Sequence, residues 1–324
     1  MSEEAYVSPS SNKNLSVTED GFIDSDGNKF SYKGGIIDFI YPKELPQSDL
    51  DSIAWYKDNA AVYDDFLPMT FDTFGVDENV ERKKMIDLLK IKKDHKVLEV
   101  GCGTGRDSEK IASELGESGE LFLQDISYEI LKIAVEKFSE RKFQPKIEFA
   151  LANGYYLPFK DNYFDSAFHF GGLNTFGDIK QAFQEMIRVV KPGGRIVVGD
   201  ENMPQWLRDT EFGKVLMNSN PHYKYDLPLE YLPVEARNVR IDWIIGGVFY
   251  VISFDVAENE PTANIDFEIP GIRGGTHRTR YYGHTEGVTN DAILLAKKAR
   301  EKSGKSMHKW LDDVIREAAL KEIK

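Results

Sequence analysis

The sequence predicts an α/β fold: a mostly parallel sheet flanked by helices, ending in an antiparallel hairpin, with a small β appendage before it and a helical extension after it. Three observations carry this expectation. Short apolar runs alternate with helical segments between Lys96 and Gly199. The run 97–100 empties into a bend holding Gly101, Gly103 and Gly105. Two later apolar runs, 239–245 and 248–256, are joined by Gly246-Gly247, a pair suited to turning one strand back on its neighbour.

Taken in order, residues 1–14 are rich in Ser, Asn and Glu without periodicity, which predicts a flexible tail. Residues 15–45 change to short apolar steps punctuated by Asp20-Gly21 and Asp26-Gly27, so a compact β appendage is expected there. Residues 51–90 carry apolar faces at helical spacing, among them Trp55, Ala60, Tyr63, Met85, Ile86 and Leu89. Strand-like runs at 97–100, 121–123, 147–151, 166–170 and 195–199 then interleave with helical stretches at 107–115, 127–138 and 179–190. That βαβ alternation indicates a parallel sheet with crossover helices. Residues 50–256 are expected to form the main domain. Residues 257–324 would be an extension with two helices, striped by Leu295, Ala296 and Ala299 and by Trp310, Leu311 and Val314, that packs on the core.

Composition narrows the partners. Lys+Arg 41 against Asp+Glu 54 gives a net charge of -13, which favours solubility and disfavours a nucleic-acid partner. Cys102 is the sole cysteine, so an intramolecular disulfide and a cysteine-rich zinc site are both excluded, and no metal is expected. No stretch reaches the roughly 20 apolar residues of a membrane helix. A cytoplasmic protein without membrane insertion is the expectation, and the oligomeric state stays open.

Glycines at the end of a parallel strand permit unusual backbone angles and let a ligand approach the main chain closely. Asp125 closes the next strand just over twenty residues on, a spacing that suits an acceptor for ribose hydroxyls. A dinucleotide site would need a third glycine one place later, where Arg106 stands instead. The loop therefore points to a nucleoside ligand other than a dinucleotide.

Glu99-x-Gly101-x-Gly103-x-Gly105 with Asp125-Ile126-Ser127 resembles the class I S-adenosylmethionine-dependent methyltransferase family. The likeness continues through Leu157-Pro158-Phe159, Phe164-Asp165 and Arg188-Val189-Val190-Lys191-Pro192-Gly193-Gly194, in family order. It implies a Rossmann-like seven-stranded mixed sheet, mostly parallel with an antiparallel strand in the C-terminal hairpin. It also implies S-adenosylmethionine as methyl donor and S-adenosylhomocysteine as product. By that likeness Gly101, Cys102 and Gly103 line the methionine part, Glu99 orients its ammonium, Asp125 binds the ribose and Ile126 covers the adenine. Asn153, beside Gly154, stands where the family usually has an acidic residue. Its amide can accept from the adenine amino group and donate to a ring nitrogen. Tyr63 matches an aromatic that covers the methionine end, or is a core tyrosine. His169 and Phe170 border the same crevice, as ligand contacts or as packing. Cys102 reads as a small packing residue, since no nearby histidine is placed to activate it. Residues 15–45 also resemble the small zinc-ribbon module that precedes some methyltransferase domains, through Gly35-Ile36-Ile37-Asp38-Phe39, but without any of its cysteines.

The expected function is methyl transfer to a small molecule in metabolism, anionic or aromatic in character. RNA or protein methylation and an inactive methyltransferase-like binding subunit are the alternatives. Candidate acceptor-site residues are Tyr56, Tyr63, His169, Glu201 and Asn202, and a basic-aromatic cluster of Arg273, His277, Arg278, Arg280, Tyr281, Tyr282 and His284. That cluster is either a binding site for an anion or ring, or a loop whose arginines pair with neighbouring carboxylates.

Overall fold

Five apolar-rich segments become the centre of the sheet: β5 (Lys96–Val100), β6 (Glu120–Asp125), β7 (Lys146–Leu151), β8 (Phe164–Phe170) and β9 (Val190–Glu201), all parallel. They are preceded by β1 (Ser16–Thr18), β2 (Gly21–Ile23), β3 (Lys29–Lys33) and β4 (Ile36–Asp38), and followed by β10 (Ala236–Ile244) and β11 (Phe249–Val256). In this computed structural model, which describes residues 3–272, 274–282 and 288–323, the strands join one sheet in the order β1-β2-β3-β4-β7-β6-β5-β8-β9-β11-β10. β11 lies antiparallel between β9 and β10. The strand order reverses direction at β5 and β8, the place where a parallel sheet opens a crevice at its carboxyl ends.

Three helices come before β5: α1 (Gln47–Asn59), α2 (Tyr63–Phe74) and α3 (Glu78–Asp87). The crossovers are α4 (Arg106–Glu114), α5 (Tyr128–Ser139) and α6 (Ile179–Val189), and α7 (Glu211–Ser219) follows β9. The helix starts have local causes. Asp77 accepts from the Val80 N–H at 3.0 Å, Asp178 from Gln181 N–H at 2.9 Å and Thr210 from Gly213 N–H at 3.0 Å. Lys191-Pro192-Gly193-Gly194 stops α6 as a bulge: Val190 pairs with Phe164, and the register resumes only at Arg195 opposite Ser166. Gly193 takes φ +82° in that bulge.

Two expectations require correction. The sheet has eleven strands, not seven, because the small β appendage is no separate module. Its last strand, β4, pairs in parallel with β7 through Ile37–Ala150 and Asp38–Leu151, and so extends the main sheet. The flexible tail expected at residues 1–14 is likewise contradicted at residues 5–8, which are buried. Val7 N–H donates to Pro158 O at 3.0 Å, and Lys160 N–H donates to Ala5 O at 3.0 Å. Tyr6, 2% exposed, packs on Phe39 at 5.0 Å and Phe159 at 5.4 Å between ring centres, and its hydroxyl donates to Glu148 at 3.1 Å. A polar composition concealed one aromatic whose burial anchors the segment.

The chain divides into two compact units, residues 1–260 and 261–324. The second contains α8 (His277–Tyr282), α9 (Asn290–Ser303) and α10 (Met307–Ile323). Thr289 caps α9 by accepting from Ala292 N–H at 3.3 Å, and Gly304 ends it at φ +68°. Among the described residues no helix is long and apolar enough to cross a membrane.

Candidate functional site

A single cavity runs along the carboxyl ends of β5 to β9, roofed by α1 and α2. Its floor begins at the glycine loop. Gly101, Gly103 and Gly105 take φ of +66°, +55° and +82°, so the chain turns off β5 in a conformation that other residues adopt at a cost. Gly105 also lies where a Cβ would approach the Phe138 ring to 2.9 Å, whereas at Gly103 a Cβ would meet nothing. Gly105→Ala is therefore expected to lower stability by about 2–3 kcal/mol and Gly103→Ala by about 1 kcal/mol, as read from urea unfolding. Equal losses would refute the contribution assigned to Phe138.

Asp125 ends β6 beneath this loop. Its Oδ2 accepts the Gly103 N–H at 2.9 Å and its Oδ1 accepts the Ser127 N–H at 2.8 Å. Burial raises this carboxyl to about 6, against the opposing pull of the backbone N–H groups of Ser127, Gly103 and Ile126. Glu99, on β5, is also buried. Desolvation, reinforced by Asp107, raises its carboxyl well above the ordinary range, while the Ser108 hydroxyl donates to it at 2.5 Å.

His169, near the end of β8, packs beneath Gly101 and edge-on to Phe176 at 4.9 Å between ring centres. Its Nδ1 lies 2.7 Å from the Val100 carbonyl oxygen, which can only accept, so Nδ1 carries the proton. Burial lowers the pKa of the ring and keeps it neutral. Its Nε2 is then a bare acceptor, buried and without a hydrogen-bond partner among the described residues. Cys102 is buried as well, and burial raises its thiol well above its usual value, which fits packing and not nucleophilic attack.

The roof is fastened by charge. Thr104 Oγ1 donates to Asp64 at 2.7 Å, and Lys137 pairs with the same carboxylate. Arg106 reaches Glu78 at 2.5 Å, and Arg82 bridges Glu78 at 2.7 Å and Asp107 at 2.6 Å. These contacts tie α2 and α3 to the glycine loop and α5. The two cations that face the cavity, Arg82 and Arg106, are thereby already paired.

Tyr63, Glu99, Gly101, Cys102, Gly103, Asp125, Ile126, Asn153, Gly154, His169 and Phe170 all line this one cavity, as do Tyr56 and Glu201. Sequence reasoning missed Asp49, Ser52, Phe71, Arg82, Thr104, Ile245 and Phe249, which line it too. Thr104 belongs to the glycine loop itself; the others come from α1, α2, α3, the β10–β11 turn and the start of β11, and no local spacing marks them. The basic-aromatic cluster belongs to the second unit. There Arg278 pairs with Asp266 at 2.9 Å, Arg280 donates to Gly274 O at 3.1 Å, and Tyr282 stacks on His308 at 4.9 Å. Arg278 thus pairs with a carboxylate, while Arg280 reaches a backbone carbonyl. Arg273 and His284 lie outside the described residues.

A family model described as a methyltransferase domain matches residues 91–243. The chain is 35% identical over 147 residues to the ubiquinone/menaquinone biosynthesis C-methyltransferase UbiE of Erwinia tasmaniensis, covering 45% of this chain and 57% of that relative. It is 36% identical over 135 residues to a demethylmenaquinone methyltransferase of Desulfitobacterium hafniense, covering 42% and 53% respectively. The chain thus spans little more than half the length of these curated relatives. Among solved structures, a putative S-adenosylmethionine-dependent methyltransferase of Methanococcus maripaludis is 18% identical, with a TM-score of 0.48 over 68% of this chain and 98% of that one. With the glycine loop, the acidic end of β6 and the motifs that follow them in order, residues 91–243, just under half of the chain, are similar to the methyltransferase domain that the family model describes.

Proposed function

We propose that the chain transfers a methyl group from S-adenosylmethionine to a small aromatic acceptor. The observation that carries this reading is that one cavity combines two kinds of lining. Part of its lining is the glycine loop, Asp125 and Gly154; another part is the rings of Tyr56, Tyr63, Phe170 and Phe249 with Glu201. The first part fits a nucleoside with a charged tail, since it offers a backbone cradle and a buried carboxylate for hydroxyl donors. The bound cofactor would supply an electrophilic methyl on a sulfonium sulfur.

The second part would position the acceptor. Flat rings suit an aromatic substrate held against the methyl in line, where alignment supplies much of the rate. An anionic acceptor is disfavoured, because Arg82 and Arg106 are already paired and Glu201 adds a carboxylate. Desolvation, with the adjacent Asp200 carboxylate, raises the Glu201 carboxyl well above the ordinary range. Asp200 itself is engaged by the backbone N–H of Asn174 at 2.7 Å.

The relatives named for quinone biosynthesis motivate a ring carbon as the methylated atom. In that case the bond between the sulfonium sulfur and the methyl would break as the methyl bonds to the ring carbon, leaving S-adenosylhomocysteine, and the proton leaving the same carbon would pass to Glu201. The test is transfer of labelled methyl to a panel of 1,4-naphthohydroquinone, simple phenols, aliphatic amines and carboxylates, with mass spectrometry of the products. C-methylated hydroquinone or phenol is the expected product. Transfer only to amines or carboxylates would overturn the acceptor class, and no binding of S-adenosylhomocysteine by folded protein would overturn the whole reading.

A further inference from the structure

The sheet ends in a strand with one open side. β10 closes the strand order, and among the described residues its only strand partner is β11. A bulge at Asn238, where φ is +51°, shifts the register between Arg237 and Arg240, and from Arg240 to Ile244 the pairing with β11 is regular. Val239 and Ile241 on this strand are exposed, and Trp243 meets the exposed Trp206 edge-on at 5.5 Å between ring centres. Between these apolar positions stand Arg240 and Asp242. Arg240 Nε and Nη2 both donate to Asp242 Oδ1, at 3.0 and 2.7 Å, and Asp242 Oδ2 has no hydrogen-bond partner among the described residues. A row of unpaired main-chain groups flanked by apolar side chains is a template for another strand.

We propose that β10 is the docking edge for a second copy of this chain, the two β10 strands pairing antiparallel about a two-fold axis at Ile241. Sheet geometry limits the registers. A two-fold axis normal to the sheet keeps every side chain on its own face, and residues directly opposite in a ladder share a face. The axis must therefore pass through a residue and not between two. Centred on Arg240, the pairing sets arginine against arginine; centred on Asp242, it sets aspartate against aspartate, and like charges directly opposite are unfavourable. Centred on Val239, it puts Arg240 against the bulged Asn238 and Asp242 against Ala236, and centred on Trp243 it leaves only Asp242–Ile244 in the ladder. Centred on Ile241, Arg240 of each copy faces Asp242 of the other, Ile241 faces its own copy and Val239 falls opposite Trp243. The charged pairs form twice, because a two-fold contact is self-complementary. Asp242 Oδ2 offers the incoming arginine an acceptor that the arginine of its own strand does not use. Pairing through this one edge closes at two copies and does not propagate.

The test is the oligomeric state of the full chain, measured by sedimentation equilibrium. Wild-type protein is expected to be dimeric at about 100 µM. Arg240→Asp sets two carboxylates opposite each other at both symmetric contacts and should weaken the dimer by about tenfold or more, as should Asp242→Arg with two guanidiniums. Combining Arg240→Asp with Asp242→Arg pairs the charges again and should bring the dimer back to within about threefold of wild type, which separates lost docking from lost folding. Ile241→Cys reads the register, since only the residue on the axis meets its own copy: mild oxidation should yield a covalent dimer from it and none from Val239→Cys or Trp243→Cys. A wild-type monomer at about 100 µM, a dimer indifferent to either single charge change, or a double variant no better than the singles would overturn the proposal. Cross-linking through Val239→Cys or Trp243→Cys in place of Ile241→Cys would overturn the register.

Discussion

Asp125→Ala is expected to weaken binding of S-adenosylhomocysteine about 100-fold, or ~3 kcal/mol, while the protein remains folded. Two losses combine. The ribose hydroxyls lose their acceptor, and the N–H groups of Gly103 and Ser127, now held at 2.9 and 2.8 Å, are left without partners. The second loss loosens the loop before any ligand arrives. Titration calorimetry measures the change, and an affinity within threefold of wild type would sink the assigned contact.

The same carboxyl makes a pH prediction of definite sign. Without ligand, burial raises it to about 6, so between roughly pH 4 and 6 the folded protein holds a proton that the unfolded chain has released. Its contribution to stability is therefore present below about pH 4 and lost as pH rises through about 6. Ligand hydroxyls favour the ionised form, which reverses the trend for binding. Affinity should fall as pH drops below about 6, approaching tenfold per unit, and this dependence should flatten in Asp125→Asn. A wild-type affinity that is level between about pH 5 and 7.5 would contradict the proposed linkage.

Phe39→Ala should cost about 3–5 kcal/mol in urea unfolding. Phe39 is fully buried, with ring centres 5.0 Å from Tyr6, 5.7 Å from Phe22 and 5.3 Å from Phe30. Its own N–H donates to Leu151 O at 2.8 Å, so the residue stands where the appendage meets β7. Truncation leaves a void among three rings that belong to separate segments and cannot all close in on it. The prediction discriminates between two views of residues 15–45. If they were an autonomous module, the loss would stay local and the main unfolding transition would keep its midpoint. With β4 built into the sheet, that midpoint should shift.

The glycine loop and Asp125 were legible in the sequence because their chemistry is local: positive φ at a strand end, and an acid closing the next strand. The run of later motifs placed the sheet for the same reason. Tyr6 and Asp49 were not legible, because each acquires its role from a partner far along the chain, Glu148 for one and Asn153 for the other. Asn153 itself was found, yet its amide faces Asp49 and Tyr155, a relation fixed only when α1 settles over β7. The basic cluster near residue 278 allowed two readings, an anion site or arginines paired with carboxylates, and Arg278 pairs with Asp266, twelve residues earlier.

The seam between the first strands and β7 also sets an order of events in folding. Tyr6 and its partner Glu148 are separated by 142 residues, so the first aromatic layer has nothing to pack against until that much more chain exists. At ribosomal rates of about 5–20 residues per second, this wait is roughly 7–30 seconds. Throughout that interval the rings of Tyr6, Phe22, Phe30 and Phe39 lack their final partner strand, and the contacts they await are of high sequence separation, the kind that form slowly. The nascent chain thus carries the aromatic side chains of residues 6–39 through synthesis well before the strand that covers them exists.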